Sequence, residues 1–213
     1  MTRMSVAGAL SIVRSWVAGI SGRSGFVIAI DGPSGAGKST FADLLVDRWT
    51  GYPITLLRLD DAYPGWHGLD AGVLEINRRA IRPRLRGMTG HWRRWDWRED
   101  RAGAQQMVRP GGALIVEGCG AFAAVAGVAS AAQLRVWVEA GPADRQRRAL
   151  ARDGGAFDPY WDTWQQQWQR YLARTRASKR ADLTVIVCGQ QQSSGPVAAR
   201  PDQTDFIRSP AES

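Results

Sequence analysis

The sequence predicts an α/β fold, a parallel sheet of five strands held between two layers of helices. Three observations predict it. Short apolar runs rich in β-branched residues recur along the chain: Phe26-Val27-Ile28-Ala29-Ile30, Ile54-Thr55-Leu56-Leu57-Arg58-Leu59, Ala113-Leu114-Ile115-Val116, Leu134-Arg135-Val136-Trp137-Val138 and Leu183-Thr184-Val185-Ile186-Val187. Stretches of helical periodicity alternate with them, the pattern of βαβ units. Between the first strand and the first helix that follows it stands Gly32-Pro33-Ser34-Gly35-Ala36-Gly37-Lys38-Ser39, which satisfies G-x-x-x-x-G-K-[ST] at every fixed position.

That loop is a physical site, because residues with small side chains let the backbone curl until successive N–H groups point inward. The helix-like run Ser39-Thr40-Phe41-Ala42-Asp43-Leu44-Leu45-Val46 directs the positive end of its dipole at the same cavity. A nucleoside triphosphate tail fits there, which makes the fold a P-loop NTPase three-layer fold. Gly32, Ser34, Gly35, Ala36, Gly37, Lys38, Ser39 and Thr40 are the candidate nucleotide-binding residues. Lys38 reaches the β- and γ-phosphates, and the Ser39 hydroxyl takes one Mg²⁺ position, with most other metal ligands being water.

Length and composition narrow the class. The chain of 213 residues holds one α/β domain, expected over residues 1–188 with a core at 22–188, and the Gln-, Ser- and Pro-rich residues 189–213 read as a flexible tail. A net charge of +8 raises nucleic acid as a partner, but the basic residues are nearly all arginine and are spread along the chain, so nucleic acid is not the expected partner. Cys119 and Cys188 stand in no zinc-like spacing, and a reducing cytoplasm is expected. No run approaches the roughly 20 apolar residues of a membrane span. Leu10, Val13, Val17 and Ile20 recur at helical spacing, which predicts an amphipathic helix beside the first strand.

After the loop helix, the second strand ends in Asp60-Asp61-Ala62-Tyr63. The carboxyl end of a parallel strand is where α/β proteins place ligands, although either acid alone also suits a helix N-cap or a turn. A helix over 73–81 is expected to stop before Pro83. Residues 82–98 interleave arginines with Trp92, Trp95 and Trp97, and read as a half-buried flap rather than a nucleic-acid clamp. Glu117 closes the third strand, where a carboxylate holds Mg²⁺ directly or through water, or makes a turn. A helix from Pro142 carries Arg145, Arg147, Arg148 and Arg152 toward Gly154-Gly155, the composition of a phosphate-covering lid over about 145–160. Trp161, Trp164 and Trp168 recur at i, i+3 and i+7 and read as a helix core.

Residues also separate the sub-classes. The guanine-reading N-K-x-D loop is absent, since Lys179, the one lysine outside the phosphate loop, follows Ser178. Motor-type ATPases set a glutamate directly after the metal-binding acid of the third strand, whereas Glu117 is followed by Gly118. A phosphotransferase remains, in which an acid activates an acceptor hydroxyl and arginines neutralise the transferring group.

Over residues 22–188 the chain resembles the uridine kinase and phosphoribulokinase branch of P-loop kinases. The matching features are the phosphate loop, Asp60-Asp61-Ala62-Tyr63 against that family's D-S-F-Y, Trp95-Asp96-Trp97, Glu117-Gly118, the arginine helix from Arg145 to Asp153, and Ala181-Asp182. The resemblance implies Asp60 as general base, with Lys38 and Arg148 in the catalytic set and Arg145 and Arg152 on ATP. It further implies Ser39, Asp60 and Glu117 around Mg²⁺. The acceptor is expected between the loop after Asp60 and the flap, against Tyr63, Trp66 and Asp96. Where that family carries a histidine three residues beyond its Y-D-F element, this chain has Asp100, and Asp61 and Ala62 replace the middle of D-S-F-Y, which argues against pyrimidine nucleosides specifically. The expected function is an ATP- and Mg²⁺-dependent kinase acting on a hydroxyl of a small nucleoside-like or sugar-like metabolite, as a monomer or homo-oligomer. Two alternatives stand beside it: a nucleoside monophosphate kinase using the arginines between Arg78 and Arg94, and an ATP-binding regulatory or nucleic-acid-binding protein.

Overall fold

The computed structural model describes residues 3–20, 25–50, 53–128, 132–152 and 154–188. The expected tail at 189–213 lies outside the described residues, as does Asp153 at the end of the expected arginine helix. The main sheet is built from β1 (Arg3–Met4), β2 (Val27–Asp31), β3 (Ile54–Arg58), β6 (Ala113–Glu117), β7 (Gln133–Ala140) and β8 (Leu183–Val187). Its order is β1-β8-β7-β2-β6-β3 and every pairing is parallel. The five apolar runs are thus the five long strands. The two-residue β1 adds a sixth strand beside β8, too short to leave a periodic signal in the sequence.

β2 sits centrally, flanked by β6 and β7, and all five of its residues are buried. Because side chains alternate across a strand, one apolar run feeds two cores. Val27 and Ala29 face a cluster with Leu57, Leu114, Val116, Trp137 and Trp168, whereas Ile28 and Ile30 face Ile115, Val136, Val138 and Val185. The second cluster is covered by α1 (Val6–Ala18), through Ala9, Leu10 and Val13, and by α2 (Lys38–Asp47), through Phe41, Ala42 and Leu45. The amphipathic face read from the sequence is therefore the one that packs, with Trp16 set edge-on to Phe26 at 5.6 Å.

The first cluster is covered by α3 (Leu69–Glu75), α5 (Ala121–Ala124) and α7 (Trp161–Thr175), and takes Ala149 from α6 (Pro142–Arg152). Trp164 and Trp168 are buried in it, and Trp161 is partly buried. The expected helix stop at Pro83 does not occur. Residues Ile76–Ile81 form a π-helical turn, and α4 (Arg82–Leu85) continues through the proline. In the wider turn the Arg82 N–H bonds back to the Asn77 carbonyl, and this shifted register accommodates a residue with no N–H and a bulky ring. The flap is a two-stranded antiparallel hairpin, β4 (Gly90–Asp96) with β5 (Arg101–Val108). Among the described residues, no helix is long and apolar enough to cross a membrane.

Candidate active site

The phosphate loop joins β2 to α2, and its glycines are required by close approach. Gly35 has φ +73°, and a Cβ there would overlap the backbone carbonyl of Arg145. The first turn of α6 therefore lies directly on the loop. Gly32 is likewise pressed on the carbonyl of Val138, at the end of β7. Ala36 is buried, Ser34, Gly37 and Ser39 are half-buried, and Thr40 is exposed on α2.

Lys38 is 7% exposed and donates from Nζ to the Pro33 carbonyl at 3.0 Å and to Cys119 Sγ at 3.6 Å. Burial works to lower its pKa, but Cys119, Asp60, Glu117 and Asp31 outweigh burial and hold it above the ordinary lysine value. The lysine is a cation at neutral pH and faces the acids of two strand ends.

One of those acids went unnoticed in the sequence. Asp31, fully buried, ends β2 and accepts four hydrogen bonds: from the N–H groups of Gly32 (2.7 Å), Gly120 (2.9 Å) and Phe122 (3.0 Å), and from the Tyr171 hydroxyl (2.6 Å). It ties the start of the phosphate loop to the turn after β6 and to α7. A charged residue closing an apolar strand was its one sequence signal, since three of its four partners lie 89 to 140 residues away.

Glu117 lies opposite Arg58 in the β3–β6 register and accepts from its Nη1 at 2.9 Å. The other arm of Arg58 pairs with Asp43 of α2. Burial and then the neighbouring Asp60 push the Glu117 pKa up, while Arg58 and Lys38 pull it back. Asp60 stands on a 3₁₀ turn (Leu59–Asp61) after β3, 37% exposed, with its carboxylate 3.4 Å from Arg152 of α6. Asp61 pairs with Arg94 of the hairpin at 3.4 Å, and Trp97 donates its indole N–H to the Asp60 carbonyl at 2.9 Å. Helix α6 and the hairpin both fasten on this turn.

Asp60, Glu117 and the half-buried Ser39 carry oxygen donors of the kind Mg²⁺ takes, an ion that binds one or two carboxylates and completes its shell with water and phosphate oxygens. Asp60 and Glu117 lie near enough to repel one another and to act on Lys38, and each is also paired with an arginine, Arg152 and Arg58 respectively. Among the described residues no group of three or more His, Cys, Asp and Glu could hold a metal by itself.

The arginines of α6 differ in their surroundings. Arg145 bonds Gln165 at 3.3 Å and lies 5.8 Å over the Trp161 ring, and burial lowers its pKa. Arg148 has Nε and Nη2 buried without a hydrogen-bond partner among the described residues. Arg147 turns away to Asp144 at 2.5 Å.

On the acceptor side the structure separates the expected residues. Trp66 is half-buried and stacks on Phe157 at 4.8 Å and on Tyr160 at 5.0 Å, with Trp97 at 4.6 Å, an aromatic bridge from the post-β3 loop to lid and flap. Tyr63 does not line this mouth. It is 1% exposed, donates its hydroxyl to the Cys119 carbonyl at 2.7 Å and sets its ring edge-on to Trp164 at 5.0 Å, so it is a core residue. Asp96 is occupied by the hairpin turn, accepting from the N–H groups of Glu99 and Arg98, which lower its pKa. Of the arginines considered for a phosphorylated acceptor, Arg84 donates to the carbonyls of Gly112 and Ala113, and Arg79 pairs with Glu75.

Against known proteins, the structure aligns with that of a possible uridine kinase from Bacillus stearothermophilus, at TM-score 0.56 and 18% identity over 85% of this chain and 100% of that one. It also aligns with a candidate fructose transport system kinase from Silicibacter sp. TM1040, at TM-score 0.50 and 22% identity over 85% and 98% of the two chains. The fold is that of the P-loop kinases. In sequence, 28 residues are 68% identical to the cytidylate kinase of Geobacter sulfurreducens, a match that spans 13% of this chain and 12% of the length of that relative. No family profile matches the chain. Within the P-loop kinase fold, Asp31, Arg58, Cys119 and Gln165 are the residues around the loop that sequence patterns did not reveal.

Proposed function

We propose that this chain is an ATP- and Mg²⁺-dependent kinase that phosphorylates a hydroxyl of a small metabolite, nucleoside-like or sugar-like. One observation carries the reading: α6 spans from the phosphate loop, at Arg145 against Gly35, to the candidate base, at Arg152 against Asp60. Seven helical residues cover about 10 Å. That span is of the order that a terminal phosphoryl group and an acceptor oxygen need between loop and carboxylate.

In this reading the loop amides and Lys38 hold the triphosphate tail of ATP, and Asp60 takes the proton of the acceptor hydroxyl as its oxygen attacks the γ-phosphorus and ADP departs. Arg148, whose Nε and Nη2 are buried without a partner among the described residues, donates to the transferring group, and Arg145 and Arg152 steady the tail. Ser39, Asp60 and Glu117 would hold Mg²⁺, which supplies charge neutralisation on the phosphates. The acceptor lies at the mouth framed by Trp66 and the hairpin. Of the arginines a nucleoside monophosphate kinase could use, Arg84 is buried and taken up by backbone carbonyls, whereas Arg79 sits in an exposed surface pair with Glu75. Both cysteines are free thiols, which suits a reducing compartment.

The test is a metabolite panel assayed for acceptor-dependent ADP release, with Lys38→Ala as the blank. Once an acceptor is found, Asp60→Asn keeps ATP affinity and lowers turnover by about 10² to 10⁴. Unchanged turnover removes Asp60 from the chemistry. Tight, salt-sensitive binding to RNA or DNA with no acceptor at all would favour the regulatory reading.

A further inference from the structure

Three donor nitrogens on α6 and α7 are buried with no partner among the described residues: Nε and Nη2 of Arg148 and Nε2 of Gln165. Beside them the Gln165 Oε1 accepts from Arg145 Nη1 at 3.3 Å. That bond settles the amide's orientation, because an Oε1 held by a guanidinium leaves only the NH₂ facing away. Among the described residues neither Arg145 nor Arg148 is in an ion pair. The cluster is thus two guanidinium groups and an amide that present donors alone. A buried donor without an acceptor bears its full desolvation cost, so the set is complementary to a ligand that only accepts.

The helix geometry says where that ligand lies. Arg145, Arg148 and Arg152 occupy positions i, i+3 and i+7 and share one face of α6. Arg145 starts that face on the phosphate loop and Arg152 ends it at Asp60. Arg148 falls between the two along α6, and Gln165 meets that face from α7 through its bond with Arg145.

We propose that Gln165 is a further phosphate-binding residue, fixing Arg145 through Oε1 and donating from Nε2, together with Arg148, to an oxygen of the nucleotide tail. The inference rests on the kinase reading and adds a contact from outside the lid helix. A lid arginine held by a residue of the rigid core is preorganised, so less freedom is lost when the nucleotide binds. Adenine is a poor match for the cluster, since its exocyclic amine needs an acceptor and none is offered.

The test uses the full chain and MgATP. Gln165→Glu sets a carboxylate of equal size between the two arginines. If a phosphate oxygen is the missing partner, the carboxylate takes its place, so the melting temperature of the free protein rises while the MgATP Kd from calorimetry rises ten-fold or more. Gln165→Met, which neither donates nor accepts appreciably, weakens MgATP about three-fold or more without the gain in stability. Gln166→Glu carries the same charge change on the exposed neighbouring position and leaves the Kd as in wild type. Wild-type affinity in both Gln165 variants, as expected if water alone satisfies the donors, overturns the proposal, and so does equal weakening in Gln165→Glu and Gln166→Glu. A wild-type protein that binds MgATP no better than Lys38→Ala overturns the kinase reading itself, an outcome distinct from either.

Discussion

The contact between Gly35 and Arg145 is the joint on which loop and lid depend, and Gly35→Ala tests it. Two costs add. A left-handed residue with a Cβ costs about 1–2 kcal/mol. The new Cβ would also stand 2.6 Å from the carbonyl carbon of Arg145 and 2.9 Å from its Cα, both backbone atoms that move only if α6 moves. Overpacking of this kind costs about 1–3 kcal/mol, giving roughly 2–5 kcal/mol in all. Gly87→Ala carries the first cost alone, since Gly87 has φ +79° and a Cβ there meets nothing within 4 Å, so the difference between the two variants isolates the second. Urea unfolding should show Gly35→Ala the more destabilised of the two by about 1–3 kcal/mol. Displacing α6 also moves Arg145 and Arg148, so calorimetry should show MgATP weakened by ten-fold or more, the equivalent of about 1.4 kcal/mol. Equal destabilisation by the two substitutions, with nucleotide affinity retained in Gly35→Ala, would refute the idea that the lid helix rests on the loop.

Two further outcomes follow from the buried charges. Arg58→Met leaves Glu117, 2% exposed, without its partner and should cost about 3–5 kcal/mol in urea unfolding, with Arg58→Met/Glu117→Leu recovering most of it. The half-exposed Asp43 arm contributes little, so a cost below 1 kcal/mol would show that the pair is not buried in solution. Burial raises the Glu117 pKa above its ordinary 4.5, so the folded protein holds a proton that the unfolded chain has lost. Wild type should therefore lose stability relative to Glu117→Gln as pH rises from 4.5 through the folded value. Parallel pH profiles for the two would contradict it.

What the sequence made legible was local. Strand, loop and helix around residues 27–47 follow one another directly, so apolar runs, glycines and Lys38 declared both the element order and the phosphate site. The flap was visible as a composition but not as a hairpin. Its turn takes a left-handed conformation at Asp100, φ 47°, where a glycine would have signalled it, and a bulge between Arg93 and Trp95 breaks the alternation of β4. Tyr63 looked like an edge residue because it follows two strand-end acids, but the 3₁₀ turn carries it inward against Trp164, 101 residues along the chain. Asp31 and Gln165 were hidden because partners that define them come from other elements, the turn after β6 and α7 for Asp31 and α6 for Gln165, which meet only in the folded chain. Pro83 misled because a π-helical turn has no sequence signature that distinguishes it from a helix end.

The central claim is that loop and carboxylate serve one reacting phosphorus. A crystal structure with ADP, aluminium fluoride and Mg²⁺ tests it most directly. The fluoride is expected between Lys38 Nζ and the Asp60 carboxylate, with Arg148 donating to it. A fluoride held by the loop while Asp60 opens onto a different cavity would contradict the account.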